Sequence, residues 1–302
     1  MSELKRKFGK VGVLYGGYSA EREVSLRSGA AVITALDKLG ADVVAIDASG
    51  KSLVHQVTNA CLNRCLIMLH GGHGEDGHVQ ELLRQLKIPY TGSNSFGCAL
   101  AMDKMSSKKL WQTKGLLTPK SKIIIHSLDI AELKFPLAIK PTTQGSSIGI
   151  HKVSSIDALD NAYKNASQYG EVMSEEWIEG KELTVSIVNN IALPSIWIEP
   201  KLEFYTYEAK YTKEAATSYH CPSGVTIALE AKLKAIALKA FKTLGCSGWG
   251  RVDFILSNNN ELYLIEVNTV PGMTNSSLVP QAAKAYGWDF EKLVLKILES
   301  SL

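Results

Sequence analysis

The chain has no long run of apolar residues. A membrane-spanning helix needs a run of about 18 such residues, and no stretch of the 302-residue sequence supplies one. The N-terminal stretch "MSELKRKFGKVGVLYGG" carries charges and only a short apolar run before two glycines, which is not the pattern of a secretory signal peptide. We therefore expect a cytoplasmic protein with no membrane partner.

The chain also has little excess charge. Its 33 basic and 30 acidic residues leave a formal net charge of +3, and the sequence contains no basic run or aromatic–basic stripe. This pattern argues against a nucleic-acid partner, which a strongly basic face would indicate. The content of 45% hydrophobic and 21% charged residues is typical of a folded globular protein, and the length allows two or three domains.

Cysteine is scarce and irregularly spaced. An odd number of five residues in a cytoplasmic chain predicts reduced thiols and no disulfide framework. Cys61 and Cys65 could begin a zinc site, but no second pair completes a four-ligand set.

Two common nucleotide-binding motifs are missing, the GxGxxG dinucleotide fingerprint and the GxxxxGK(S/T) P-loop. The first hundred residues nevertheless alternate strand and helix patterns. Strands are predicted over 10–15, 41–46 and 64–69, and helices over 20–39 and 78–87. This alternation predicts a parallel sheet, with ligand-binding loops at the carboxyl ends of its strands.

Turn-forming residues over 89–97 indicate a boundary, after which a helix is predicted over 98–114. A polar stretch over 201–224 lacks a regular pattern and is too long for a passive connector, so we expect a functional lid there. We predict three domains, an N-terminal α/β domain and two α+β domains, with bounds 1–97, 98–183 and 184–302.

Polar residues interrupt two apolar runs near the C-terminus, "RVDFIL" and "YLIEVN", which the polar turn "SNNN" joins as a hairpin. A loop of even length places Asp253 opposite Leu264, on the face of Glu266 and Asn268, and Arg251 shares that face. An odd loop without a bulge places the polar residues of the two strands on opposite faces. Two carboxylates and an amide oxygen suit Mg2+. The alternative is a surface hairpin with scattered polar residues.

The stretch "AIKPTTQGSSIGI" places Lys140 at a strand end before a Gly-Ser-Ser turn. Backbone N–H groups and hydroxyls of such a loop can surround a polyphosphate, with the lysine as a point charge. An ordinary hairpin turn is the alternative reading.

The stretch "SEEWIEGKE" alternates acidic and apolar residues, so that Glu175 and Trp177 share one strand face and Glu176 and Ile178 the other. An apolar slot beside a carboxylate can hold an adenine and a ribose. A strand with a solvated edge is the alternative.

Two polar loops follow predicted strands, "GGYSAEREVS" and "HGGHGEDGH". The second offers three histidines, yet the intervening glycines give no fixed ligand spacing, which favours a substrate loop over a zinc site. In the first loop, Glu21 either complements the dipole of the following helix or projects towards an amine.

These stretches occur together in a known order. The chain resembles the D-alanine–D-alanine ligases of the ATP-grasp superfamily over nearly its whole length. The resemblance is carried by "GGYSAEREVSLRSG", "LHGGHGEDGHVQ", "YTGSNSFGCALAMDK", "IKPTTQGSSIGI", "EAKYTKEAATSYHCPSG", "GWGRVDF" and "IEVNTVPGMTNSSLVPQAAKAYG".

The resemblance implies a three-domain ATP-grasp fold, with ATP held between the second and third domains, and the joining of two D-alanine molecules through an acyl phosphate. It implies two Mg2+ or Mn2+ ions on Asp253, Glu266 and Asn268. We also expect a homodimer. The rivals are an ATP-grasp ligase for another acid and a non-catalytic ATP-binding module.

The same resemblance implies roles for individual residues. ATP phosphates would contact Lys104, Lys140 and Lys210. The adenosine pocket would be lined by Glu175, Trp177, Ile178 and Glu182. The first D-alanine would be held through its ammonium by Glu21 and His70.

For the second half of the reaction, the resemblance implies an oxyanion hole formed by Arg251 and the N–H of Gly272. Ser277 and the N–H of Leu278 would bind the carboxylate of the second D-alanine. Ser146 and Tyr211 would link the phosphate loop to the lid.

Overall fold

The computed structural model describes residues 3–49, 52–127, 129–130, 133–200 and 217–302. Its helices α1 to α10 are Glu3–Phe8, Arg22–Lys38, Leu53–Asn59, His78–Gln85, Ser95–Met102, Lys104–Thr113, Leu159–Ser167, Ile227–Thr243, Leu278–Ala285 and Phe290–Glu299. Its strands β1 to β13 are Lys10–Tyr15, Asp42–Asp47, Arg64–Ile67, Ser121–Ile124, Leu137–Pro141, His151–Val153, Val172–Glu176, Gly180–Val188, Ile191–Ala192, Ile196–Glu199, Ser218–His220, Trp249–Ser257 and Leu262–Asn268.

The N-terminal sheet is parallel, as predicted, with the order β2–β1–β3. The central strand β1 is apolar on both faces because helices cover it, and Val11, Val13 and Leu14 are fully buried. The loops that follow β1 and β3 leave the sheet at the same edge. Glu21 and His70 are therefore brought to one side of the domain.

The second sheet is antiparallel, with the order β4–β7–β5–β6. The prediction of one helix over 98–114 was wrong, since α5 ends at Met102 and α6 begins at Lys104. Asp103 has an extended backbone between them, and its side chain accepts a hydrogen bond from the Ser106 N–H at 3.0 Å. Asp103 thus ends one helix and caps the next.

The third sheet contains the predicted hairpin, formed by β12 and β13 in the path β11–β10–β8–β12–β13, with β9 beside β8. The predicted register was wrong, because Asp253 pairs with Glu266 instead of Leu264. An odd number of residues, 257–261, separates the last pair, and a bulge next to Asp253 compensates for it. The bulge returns Asp253 and Glu266 to one face.

The C-terminal helices pack against the N-terminal sheet, far from it in sequence. Asp289 caps α10 by accepting from the Lys292 N–H at 2.7 Å, and the buried side chains of α9 and α10 join the core of the first sheet. The segment between β13 and α9 consequently crosses the carboxyl edge of that sheet. This crossing places residues from both ends of the chain side by side.

All five cysteines are free thiols, as predicted. Within the part of the chain that the structure describes, no helix combines the length and apolarity needed to cross a bilayer.

Candidate active site

A cavity of about 540 Å³ lies where the three sheets meet. Every predicted site residue that the structure describes lines it: Glu21, His70, Lys104, Lys140, Ser146, Glu175, Trp177, Ile178, Glu182, Arg251, Asp253, Glu266, Asn268, Gly272, Ser277 and Leu278. Lys210, Tyr211 and most of the predicted lid lie outside the described residues.

The hairpin presents its polar face to this cavity. The Arg251 guanidinium donates through Nε and Nη2 to the two carboxylate oxygens of Asp253, at 2.8 and 2.7 Å. The Thr184 hydroxyl also donates to Asp253, at 2.6 Å. Asn268 lies directly across the ladder from Arg251, and its side-chain oxygen accepts from the Val270 N–H at 3.1 Å. These bonds fix the oxygens on one surface.

The donor set on this surface fits a hard divalent cation. Asp253, Glu266 and Asn268 offer two carboxylates and an amide oxygen, and in this structure Arg251 and Lys104 balance the two negative charges. Oxygen donors of this kind are those that Mg2+ uses together with substrate phosphates.

Lys104 connects the hairpin with the loop that follows β5, residues 142–150. Its ammonium donates to the backbone oxygen of Gln144 at 2.5 Å and lies 3.6 Å from Glu266 Oε2. The side chain is buried, and burial lowers its pKa. Its contacts with Gln144 and Glu266 hold the ammonium where a phosphate would meet the carboxylates.

The 142–150 loop has an unusual backbone. Ser146 and Ser147 have φ angles of +52° and +60°, in the left-handed region that non-glycine residues rarely adopt. Such conformations turn successive N–H groups towards a common point and mark functional loops.

Ser146 joins this loop to the N-terminal domain by donating a hydrogen bond from its hydroxyl to Glu21. Glu21 precedes α2 but makes no side-chain capping bond among the described residues. Of the two interpretations left open by the sequence, the geometry supports a carboxylate that projects into the cavity. Gly71 allows its approach, because a Cβ there would lie 2.7 Å from Glu21 Oε2.

His70 is buried and fully engaged by the protein. Its Nδ1 donates to the Val270 carbonyl at 2.8 Å, so Nε2 accepts from the Ser28 hydroxyl at 2.9 Å. Ser28 in turn accepts from the Met273 N–H at 3.1 Å. Burial lowers the pKa of His70, which keeps the ring neutral. His70 therefore ties the loop that carries Gly272 to the first domain.

Glu75 is a buried carboxyl group in the cavity wall that the sequence analysis did not single out. Burial, with a further contribution from the negative charge of Glu21, raises its pKa well above the ordinary value. Its position inside "HGGHGEDGH" carried no signal of burial, because Gly74 precedes it and Asp76 and Gly77 follow it.

We expect Glu75→Gln to raise the melting temperature more at pH 8 than at pH 5. A carboxyl group whose pKa is raised by folding stabilises the protein below its unfolded pKa, and this contribution is lost as the pH rises through the folded pKa. Glutamine does not titrate, so the difference in melting temperature between the variant and the wild type should grow with pH and reach about 2 °C or more at pH 8. Differential scanning fluorimetry measures it.

Glu81→Gln is the matched control, because a hydrogen bond from Arg84 lowers the pKa of Glu81 to about 2. That variant should have a lower melting temperature at both pH values. A Glu75→Gln difference that is the same at pH 5 and pH 8 would show that Glu75 is ionised in the folded protein.

The zinc alternative for the histidine loop is not supported by the position of His70, which bonds to Ser28 and Val270. Among the described residues, His73, Asp76 and His78 do cluster, with Asp76 accepting from both imidazoles at 3.2 and 2.8 Å. Both histidines are exposed, and neither lines the cavity formed by the described residues. The loop meets the cavity through His70 and Glu75 instead.

Comparisons with known proteins show which family the chain is similar to. Models described as "D-ala D-ala ligase C-terminus" and "D-ala D-ala ligase N-terminus" match residues 114–299 and 10–63. A curated D-alanine–D-alanine ligase from Francisella philomiragia is 47% identical over 293 residues, covering 97% of this chain and 98% of that protein.

Solved structures show the same similarity. A D-alanine–D-alanine ligase from Bacillus anthracis complexed with ATP aligns with a TM-score of 0.85 and 34% identity, over 97% of both chains. The VanG D-Ala:D-Ser ligase from Enterococcus faecalis aligns with a TM-score of 0.85 and 28% identity, over 97% of this chain and 99% of that one. The predicted fold class is confirmed, and the chain belongs to the D-alanine–D-alanine ligase family.

Proposed function

We propose that the protein joins two D-alanine molecules into D-alanyl-D-alanine at the expense of ATP, for peptidoglycan precursor synthesis in the cytoplasm. The observation that carries this proposal is a cavity in which two buried lysines, Lys104 and Lys140, and the loop after β5 face a carboxylate–amide surface and an arginine. Family membership supports the substrate assignment.

The chemistry of the reaction explains why such a cavity needs both the lysines and the carboxylate–amide surface with its arginine. A carboxylate is a poor electrophile because it has no good leaving group. Transfer of the ATP γ-phosphoryl group to the carboxylate of the first D-alanine forms an acyl phosphate and ADP. The deprotonated amine of the second D-alanine then attacks the acyl carbon, and the C–O bond to phosphate breaks as the peptide bond forms.

For ATP, we assign Lys104 and Lys140 to the phosphates. Glu175, Trp177, Ile178 and Glu182 would enclose the adenosine. Two Mg2+ or Mn2+ ions would be held by Asp253, Glu266 and Asn268, where they would neutralise charge on the β- and γ-phosphates.

For the first D-alanine, Glu21 would hold the ammonium. Arg251 and the N–H of Gly272 would donate to the developing oxyanion. A Cβ at residue 272 would lie 2.9 Å from Ser277 Oγ, so glycine keeps this backbone accessible. The hydrogen bonds of His70 favour a positioning role, in which it orders the 270–273 segment.

For the second D-alanine, Ser277 and the N–H of Leu278, at the start of α9, would bind the carboxylate. Lys210 would add a phosphate contact, and Tyr211 would join Ser146 in closing the lid. We further propose a homodimer, which light scattering coupled to size-exclusion chromatography tests.

The decisive experiment is ADP release, read together with product mass, in separate reactions that contain D-alanine, L-alanine, D-serine with D-alanine, or no amino acid. We expect ADP and D-alanyl-D-alanine in equal amounts with D-alanine alone. Release that depends on another acid would identify a different ligase of this fold. ATP binding without any turnover would instead indicate a binding module.

A further inference from the structure

Lys108 is a buried charged residue to which neither the sequence analysis nor the proposed mechanism gives a role. It lies one turn after Lys104 on α6, on the same helix face, and its relative exposure is 1%. Among the described residues that line the cavity, Lys104 and Lys140 are present and Lys108 is not. Its ammonium therefore sits behind the cavity wall.

The ammonium of Lys108 faces a carboxylate that has a second lysine partner. Glu175 Oε2 lies 2.5 Å from Lys108 Nζ, and Glu175 Oε1 accepts from Lys140 Nζ at 2.7 Å. Lys108 also donates to the Thr118 hydroxyl at 2.7 Å, and that hydroxyl donates to the backbone oxygen of Leu264. One buried carboxylate is thus shared between a lysine inside the wall and a lysine in the cavity.

The three charges depend on one another because all are removed from water. Burial opposes the ionisation of Glu175, but the ammoniums of Lys108 and Lys140 together lower its pKa. Burial lowers the pKa of Lys108 to about 8, against the opposing effect of Glu175. An ionised carboxylate in such a place is strongly destabilised if it loses its counterion.

We propose that Lys108 is a positioning residue for nucleotide binding, a fixed counterion of Glu175 that allows Lys140 to leave this carboxylate and contact the phosphates of ATP. The proposal rests on the proposed function, which assigns Lys140 to phosphate and Glu175 to the adenosine pocket.

The geometry allows Lys140, but not Lys108, to turn away from Glu175 into the cavity. Lys140 is at the end of β5, diagonally across the ladder from Glu175 on β7, and opens to the cavity. Lys108 lies behind the cavity wall, where its ammonium donates to the Thr118 hydroxyl. When Lys140 turns to a phosphate, Lys108 keeps Glu175 ionised and oriented. Without Lys108, Lys140 would be the last close counterion of Glu175 and would be held on it.

The test is a double-mutant cycle with Lys108→Met and Glu175→Gln, read by calorimetric titration of a non-hydrolysable ATP analogue with Mg2+. We expect Lys108→Met alone to weaken binding at least about tenfold, as expected for loss of one partner of a buried charge pair. In the Glu175→Gln background, the same substitution should change binding less than about twofold, because no carboxylate then needs a counterion.

Thr118→Val is the matched control, since it removes the other partner of Lys108 but leaves the ion pair; its binding should stay close to wild type. Circular dichroism checks folding, and Lys108→Gln serves the same cycle if the methionine variant does not fold. Equal losses in both backgrounds, or no loss at all, would overturn the proposal for Lys108. Failure of the wild-type protein to bind the analogue would overturn the proposed function instead.

Discussion

Glu266→Gln is expected to abolish turnover while the chain remains folded. Glutamine keeps the shape of the side chain, but it removes the charge that would hold two cations near the phosphates. Loss of several kcal/mol of charge stabilisation corresponds to a decrease in kcat of more than about 10²-fold. In the structure, Glu266 is also 3.6 Å from the buried Lys104. The substitution would therefore remove both a cation ligand and the ion-pair partner of a lysine assigned to the phosphates.

The measurement is phosphate release at saturating ATP and D-alanine over a range of Mg2+ concentrations, with the melting temperature as the check on folding. Glu261→Gln is the control, because Glu261 lies on the same hairpin and its exposed carboxylate bonds to the Tyr263 hydroxyl. It should leave kcat unchanged. Activity like that of the wild type in Glu266→Gln at saturating Mg2+ would contradict the metal assignment.

Arg251→Lys should lower kcat by about 10²-fold, the loss typical of an oxyanion donor, with little change in ATP affinity. Lysine keeps the charge but not the planar fork. In the structure, this fork makes two hydrogen bonds to Asp253, and lysine cannot reproduce both.

Steady-state kinetics together with titration of the ATP analogue separates the two effects. Arg64→Lys is the matched control, because the Arg64 guanidinium donates to the Phe8 and Ser301 carbonyls outside the cavity. That variant should lose stability and not kcat. If Arg251→Lys instead lost nucleotide affinity at normal kcat, Arg251 would belong to the ATP site and its oxyanion role would be wrong.

The hairpin shows how far local patterns reach. Side-chain alternation correctly grouped Arg251 with Asp253 and Glu266 with Asn268, because strand periodicity depends on neighbouring residues alone. Whether the two pairs share a face depended on the loop, and alternation left that open. The register was wrong, since the loop is odd and a bulge in β13 opposite Asp253 and Phe254 corrects it. The bulge in β13 depends on pairing with β12, which β8 pairs from the other side, and a short sequence window does not contain all of these strands.

The sequence also did not indicate which charged residues are buried. Lys108 and Glu75 look like surface residues, since a lysine in a polar helix and a glutamate among glycines are usually solvated. In the fold they are removed from water, and the pKa of each is shifted in the direction that burial dictates. The i, i+4 spacing of Lys104 and Lys108 was the available signal, and it indicated a shared face without showing that the face was buried.

By itself, the sequence determined the alternating elements of the parallel sheet and the polar face of each hairpin strand. These features follow from periodicity and residue type, which act between close neighbours in the chain. Only the tertiary structure decided that Ser146 bonds to Glu21, that His70 holds the Val270 segment, and that one carboxylate serves two lysines. Such contacts join residues up to 200 positions apart. His70 meets Val270 because the C-terminal helices pack on the first sheet, and Glu175 is removed from water because it lies between the lysines of α6 and β5.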